Sequence, residues 1–156
     1  MNSCYFLSLL SFLMLLLTGI QGYFHFNFFN ANHSTFALLT VIIYLFTQTL
    51  IIFYFVGIGI SIRDYTALQK TDAIYHKRSL AIKQRMYPPL LLNMLFVMVL
   101  FISGGALHTQ GIPKWSHGLL FYIAIMDYFR VLLIEHVAFR DSTHIVLEMS
   151  GIKIQA

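Results

Sequence analysis

Four long apolar stretches divide the chain, and a polar connector separates each stretch from the next. A helix that crosses a bilayer needs about 20 consecutive, mostly apolar residues. Each stretch is close to that length or longer. The pattern therefore predicts an all-α membrane protein whose single domain, residues 1–156, is a bundle of four transmembrane helices. The predicted helices cover residues 5–22, 35–62, 88–107 and 116–139, and an inner tail follows at 140–156.

The composition supports this class of protein and narrows what the chain can contain. Hydrophobic residues make up 58% of the 156 residues and charged residues only 10%, whereas soluble domains are about one quarter charged. We therefore expect no separate soluble module. Cys4 is the only cysteine, which excludes an intrachain disulfide and a thiolate cluster. No Lys or Arg precedes the stretch Tyr5–Leu17, so we interpret it as a retained helix rather than a signal peptide.

The connector between the second and third predicted helices holds most of the positive charge. By the positive-inside rule it lies on the cytoplasmic side, or on the matrix or stromal side in an organelle. This predicts that both termini are inside and that residues 67–86 form a helix along the membrane interface. Its basic side chains are expected to contact anionic lipids or an acidic partner, unless they serve only to orient the chain. They are Arg63, Lys70, Lys77, Arg78, Lys83 and Arg85.

The fourth predicted helix carries charges inside an apolar stretch, where they cost free energy and need a partner or a task. Asp127 and Arg130 are three residues apart, so they share a helix face and can pair. Glu135 and His136 follow further toward the inner side. One hypothesis is a proton relay or a ligand counter-ion. The other, which we favour, is a buried ion pair that fixes helix register or binds a neighbour, because helices 1 to 3 offer no titratable group at mid-depth.

Histidines at the outer end of the bundle are the candidates for a metal or haem. They are His25, His33, His108 and His117. Two imidazoles from facing helices can ligate a b-type haem, and a cluster can hold zinc or copper. However, these residues lie at helix ends, and neither an HxxxH nor an HExxH spacing occurs. The favoured interpretation is therefore no cofactor, with haem b or a metal ion as the alternative.

A resemblance to a known family rests on two sequence features. Residues 53–65 read FYFVGIGISIRDY and lead into the basic connector, and residues 104–117 read GGALHTQGIPKWSH. Over residues 53–150 the chain resembles a family of small four-helix bacterial membrane proteins that has no assigned function. The resemblance implies a four-helix fold and a defined outer turn. Gln110 departs from the family's turn pattern.

No motif of a soluble enzyme, nucleotide-binding loop or nucleic-acid-binding module occurs in the chain. We expect a non-catalytic accessory or anchor subunit of a larger complex in the bacterial inner membrane, or in the inner membrane of an organelle. Its expected partners are lipids and other membrane subunits. A haem- or quinone-binding subunit of an electron-transfer complex is the alternative. A small transporter or proton pathway ranks third, because helix 1 is expected to add nothing to a polar path.

Overall fold

The computed structural model of the protein is a bundle of four antiparallel α-helices. It describes residues 2–24, 31–69, 73–107, 111 and 113–151, together with the backbone of His108. The helices are α1 (Asn2–Phe24), α2 (His33–Gln69), α3 (Ile74–His108) and α4 (Lys114–Met149). All four are long and apolar enough to span a membrane. The prediction of an all-helical protein with four membrane-spanning helices is confirmed.

The helices pack in chain order around the bundle. α1 packs on α2, α2 on α3 and α3 on α4, while α1 and α4 close the bundle through a less extensive contact. Antiparallel neighbours bring Arg78 of α3 to Glu148 of α4, and Tyr5 of α1 to His136 of α4. We call the end that holds these residues the basic end. Asn2 and Met149 both belong to it.

Two helix ends are fixed by local chemistry. Asn32 caps α2, because its side-chain oxygen accepts hydrogen bonds from the backbone N–H and the hydroxyl of Thr35, at 2.9 and 2.8 Å. After α4, Gly151 adopts φ 80°, and its N–H donates to the carbonyl of Glu148. A left-handed residue at this position is a common way to end a helix, and glycine adopts it without strain.

The bundle buries several polar side chains within its apolar core and exposes many large apolar ones, which differs from the pattern of a soluble protein. In α1 the buried positions include Ser8, Ser11 and Gln21, whereas Phe6 and Leu9 are exposed. A surface this apolar would drive association in water. In a bilayer it faces lipid tails, and the polar groups find partners on neighbouring helices.

Aromatic side chains fill the centre of the bundle. The rings of Tyr44 and Tyr128 meet edge to face with centroids 5.0 Å apart, and both side chains are fully buried. Toward the basic end, Phe55 and Phe139 pack at the same centroid distance. These contacts join α2 to α4 across the bundle and hold the polar groups between them in fixed positions.

The described residues of the segment 67–86 form no separate helix along the interface, where one was expected. Residues 67–69 instead complete α2, and residues 74–86 form the first part of α3, which continues through Pro88 and Pro89. The sequence suggested a new helix at the prolines, because proline removes a backbone hydrogen bond and disfavours a helix interior. Packing outweighs this cost, since Met86 and Leu90 on either side of the prolines are both buried in the same core.

Candidate functional site

The Asp127–Arg130 ion pair lies near the middle of α4. Arg130 Nη2 is 2.6 Å from Asp127 Oδ1, and the Arg130 side chain is 55% exposed while that of Asp127 is 13% exposed. Arg140, the next arginine of α4, lies ten residues further on, or about 15 Å at 1.5 Å per residue. Asp127 therefore points inward, and its arginine partner remains on the surface of the bundle.

Asn93 of α3 extends this pair across the bundle. Its amide nitrogen donates to Asp127 Oδ2 at 3.0 Å and to the carbonyl of Ala124 at 3.0 Å. Its side-chain oxygen accepts a hydrogen bond of 2.6 Å from the hydroxyl of Tyr44 in α2. The network of Tyr44, Asn93 and Asp127 thus spans α2, α3 and α4. The spacing of Asp127 and Arg130 alone does not reveal this arrangement.

Glu135 and His136 take no part in the Asp127–Arg130 pair. Glu135 is 2% exposed, and its Oε2 accepts a hydrogen bond of 3.4 Å from Ser8 of α1. His136 is exposed, and its Nδ1 lies 3.1 Å from the hydroxyl of Tyr5. Consecutive residues of an α-helix point about 100° apart, which separates these two neighbours. The four charged residues of α4 thus have separate surroundings: the Asp127–Arg130 pair, the buried Glu135 and the exposed His136.

Helix α1 supplies more polar groups than we expected from its sequence. Ser11 donates to Thr47 at 2.9 Å, because the Thr47 hydroxyl gives its own proton to the carbonyl of Ile43. Thr18 lies 2.8 Å from Thr40. Together with Ser8, these contacts form a polar seam between α1 and its neighbours. Helix α1 therefore contributes buried polar side chains to the bundle, and whether a polar path crosses the membrane stays a prediction.

A sequence signal for this seam exists. Ser8, Ser11, Thr18 and Gln21 are separated by three, seven and three residues, which places them on one face of a helix. In a membrane helix, such a polar face predicts the buried side. Gln21 Nε2 extends the seam by donating to the carbonyl of Ala31 at 2.9 Å.

The histidines at the end opposite the basic end do not all lie within the described residues. His25 and the side chain of His108 are outside them. His117 Nδ1 donates to the hydroxyl of Ser103 at 2.8 Å, since that hydroxyl donates to the carbonyl of Leu100. His33 lies beside Gly22. No group of three His, Cys, Asp or Glu residues that could hold a metal ion occurs in the described part of the chain, and the haem or metal alternative stays a prediction.

The basic side chains near the other end of the bundle differ in their partners. Arg78 forms two hydrogen bonds to Glu148, the shorter of 2.5 Å. These bonds lower the pKa of the Glu148 carboxyl and raise the pKa of Arg78. Lys83 lies against Gly59 of α2, where partial burial lowers its pKa. Arg63 pairs with its neighbour Asp64 at 3.0 Å.

Three other predicted contact residues add little to this picture. Lys70 lies outside the described residues. Lys77 and Arg85 belong to the first turns of α3 and extend the positive charge of the basic end.

The fold and these contacts define an integral membrane protein, a four-helix bundle with polar contacts inside an apolar core. No protein-family profile, curated protein or solved structure matches the chain. The resemblance to small four-helix bacterial membrane proteins therefore stays a prediction, and the function of the protein has to be inferred from its own side chains.

Proposed function

We propose that this protein is a non-catalytic accessory or anchor subunit of a larger membrane protein complex. A partner subunit covers α4 around Arg130. The observation that carries the proposal is the position of this arginine: its side chain is 55% exposed on the surface of the bundle at mid-depth. A charged group at that depth costs about 3 kcal/mol or more when it faces lipid, so a protein partner is the environment that suits it.

The hydrogen-bonding capacity of Arg130 defines what the partner presents. A guanidinium has five N–H donors, and the salt bridge to Asp127 engages one of its nitrogens. The exposed residues next to Arg130 on α4 are apolar, among them Ile123, Met126 and Leu133. The surface therefore suits an apolar transmembrane helix that carries one acceptor at mid-depth, such as a carboxylate or a side-chain amide.

Snorkelling to the membrane surface is a poor alternative for Arg130. The side chain turns back along the helix to Asp127. The basic end near Arg140 is about 15 Å away along the helix, which is further than one arginine side chain reaches. Since water and lipid headgroups are out of reach of the Arg130 guanidinium, a partner helix has to supply its hydrogen-bond acceptors.

The distribution of charge supports an orientation in the membrane. Most described basic residues of α2, α3 and α4 lie toward the basic end. They are Arg63, Lys77, Arg78, Lys83, Arg85 and Arg140. By the positive-inside rule this end faces the cytoplasm of a bacterium, or the matrix or stroma of an organelle. In a Cys4→Ser background, a cysteine at position 77 should react with a membrane-impermeant thiol reagent only after the membrane is opened. A cysteine at 114 should react in intact cells, and the reverse pattern excludes this orientation.

Two arginines of α4 provide a matched test of the proposed subunit function. Arg130→Leu should reduce, at least several-fold, the amount of protein that migrates in a high-mass complex after gentle solubilisation. Arg140→Leu is the control, because Arg140 is similarly exposed at 59% and pairs with Asp141, but lies at the basic end. Asp127→Asn should also weaken assembly, since it removes the charge that holds the guanidinium. Unchanged complex yield in both Arg130→Leu and Asp127→Asn would refute the proposal.

A further inference from the structure

A second feature of the core, independent of Arg130, is the environment of Glu135. Its carboxyl group is buried beside α1, where Ser8 donates to Oε2, and the side chain of Gln48 in α2 lies nearby. The other carboxyl oxygen, Oε1, is fully buried and has no hydrogen-bond partner among the described residues. No cationic side chain of the described residues forms an ion pair with it. A buried carboxylate in this situation is strongly disfavoured.

The same pocket contains a second buried acceptor without a donor, Gln48 Oε1. The Gln48 amide nitrogen donates to the hydroxyl of Tyr128 at 3.4 Å, and that hydroxyl donates to the carbonyl of Ser8 at 3.2 Å. In this orientation of the amide, the Tyr128 hydroxyl donates to Ser8 and gives no proton to Gln48 Oε1. The two buried acceptors, Glu135 Oε1 and Gln48 Oε1, then both need a donor.

We propose that Glu135 is a proton-binding site, held as a neutral carboxylic acid whose O–H donates to Gln48 Oε1. A single proton on Glu135 Oε1 gives both buried oxygens a hydrogen bond. It also removes the charge from the interior of the bundle. The site takes a proton rather than a larger ligand, because the bundle is closely packed by Tyr44, Tyr128 and Phe139 around this point.

The groups around Glu135 agree with a proton as the ligand. The ionisable side chains that interact electrostatically with it come from three helices and are Tyr5 of α1, Tyr44 of α2 and Tyr128 of α4. On the same helix, Asp127 is compensated by Arg130, and α3 presents the uncharged Asn93 to that pair. Tyr5 also bonds the exposed His136.

Infrared spectroscopy tests the protonation state directly. In the protein purified into lipid bilayers at neutral pH, the carbonyl stretch of a protonated carboxylic acid should be present and should be lost in Glu135→Gln. Glu148→Gln is the control and should retain the band, because Glu148 is exposed and paired with Arg78. Gln48→Leu should shift the band without abolishing it, since the acceptor of the O–H is removed. A wild-type protein without the band overturns the proposal.

A second measurement uses the wild-type chain alone, so it does not depend on a variant folding. The infrared band of the protonated carboxyl is followed while the pH is raised. Above the titration midpoint of Glu135 the band should weaken about tenfold for each further pH unit, while the carboxylate stretch grows. A band that strengthens as the pH rises contradicts the proposal. Loss of the band on adding sodium at fixed pH also contradicts it, because the site would then hold a cation. Neither result bears on Arg130.

Discussion

At the scale of single residues, the side chain of Asn93 connects three helices, α2, α3 and α4. Its side-chain oxygen accepts a hydrogen bond from the Tyr44 hydroxyl, and its amide nitrogen donates to Asp127 and to the backbone carbonyl of Ala124. A buried amide with all of these partners is stable in a membrane, whereas the partners left behind on its removal have no water to replace it. Asn93 is therefore expected to set the register of α3 against α2 and α4.

Replacing Asn93 by leucine, which is similar in volume, should test this role. Asn93→Leu leaves Asp127 Oδ2 and the Tyr44 hydroxyl without their partner, and we expect the free energy of unfolding to fall by about 1–3 kcal/mol. Unfolding in a titration with denaturing detergent measures the change. Leu92→Ala is the control: Leu92 is exposed toward lipid, and its truncation should change stability by only about 0.5 kcal/mol. Equal stability of the two variants contradicts the role of Asn93.

At the scale of helices, the contact between α1 and α4 depends on the absence of a side chain at Gly19. A Cβ at this position would overlap the ring of Phe121 in α4. Glycine thus lets the two helices approach where the bundle is least extensively packed. Gly57 of α2 differs, because a Cβ there meets no atom within 4 Å.

These two glycines give opposite predictions for the same substitution. Gly19→Ala forces the Phe121 ring or α1 to move and should destabilise the bundle by about 1–3 kcal/mol. Gly57→Ala fills open space and should leave stability unchanged or raise it by up to about 1 kcal/mol. The same detergent unfolding assay compares both variants with the wild type. If Gly19→Ala is as stable as Gly57→Ala, the close approach of α1 and α4 is not as described.

The helices were predictable from the sequence, but their rotation was predictable only in part. Apolar length alone identifies each of the four helices, because crossing a bilayer requires it. The buried face is marked where polar residues line up, as on α1, but elsewhere lipid tails and the bundle core are both apolar. The spacing of Asp127 and Arg130 indicated a pair, whereas the separation of Glu135 from His136 follows from helix rotation. The continuation of α3 through Pro88 depends on core packing, which no local pattern shows.

At the scale of the whole molecule, two polar systems with different surroundings lie in one apolar bundle. Glu135 is enclosed by α1, α2 and α4, and its chemistry is complete within the chain if it carries a proton. The Asp127–Arg130 pair opens onto the surface, with Arg130 more than half exposed. The proton on Glu135 stabilises the interior of the bundle, whereas the Asp127–Arg130 pair is available to a neighbouring subunit. The proposed subunit function rests on the second alone.

The most direct measurement of the central claim is photo-crosslinking from the α4 surface inside intact membranes. A photoreactive residue at position 126, which is exposed one turn before Arg130, should form a covalent adduct with a membrane-spanning segment of another subunit. The crosslinked segment should contain a carboxylate or amide side chain, and Arg130→Leu should abolish the adduct. The same probe at position 53, an exposed position on α2, is the control and should react mainly with lipid. Adducts to lipid alone at position 126, unchanged by Arg130→Leu, would contradict the account.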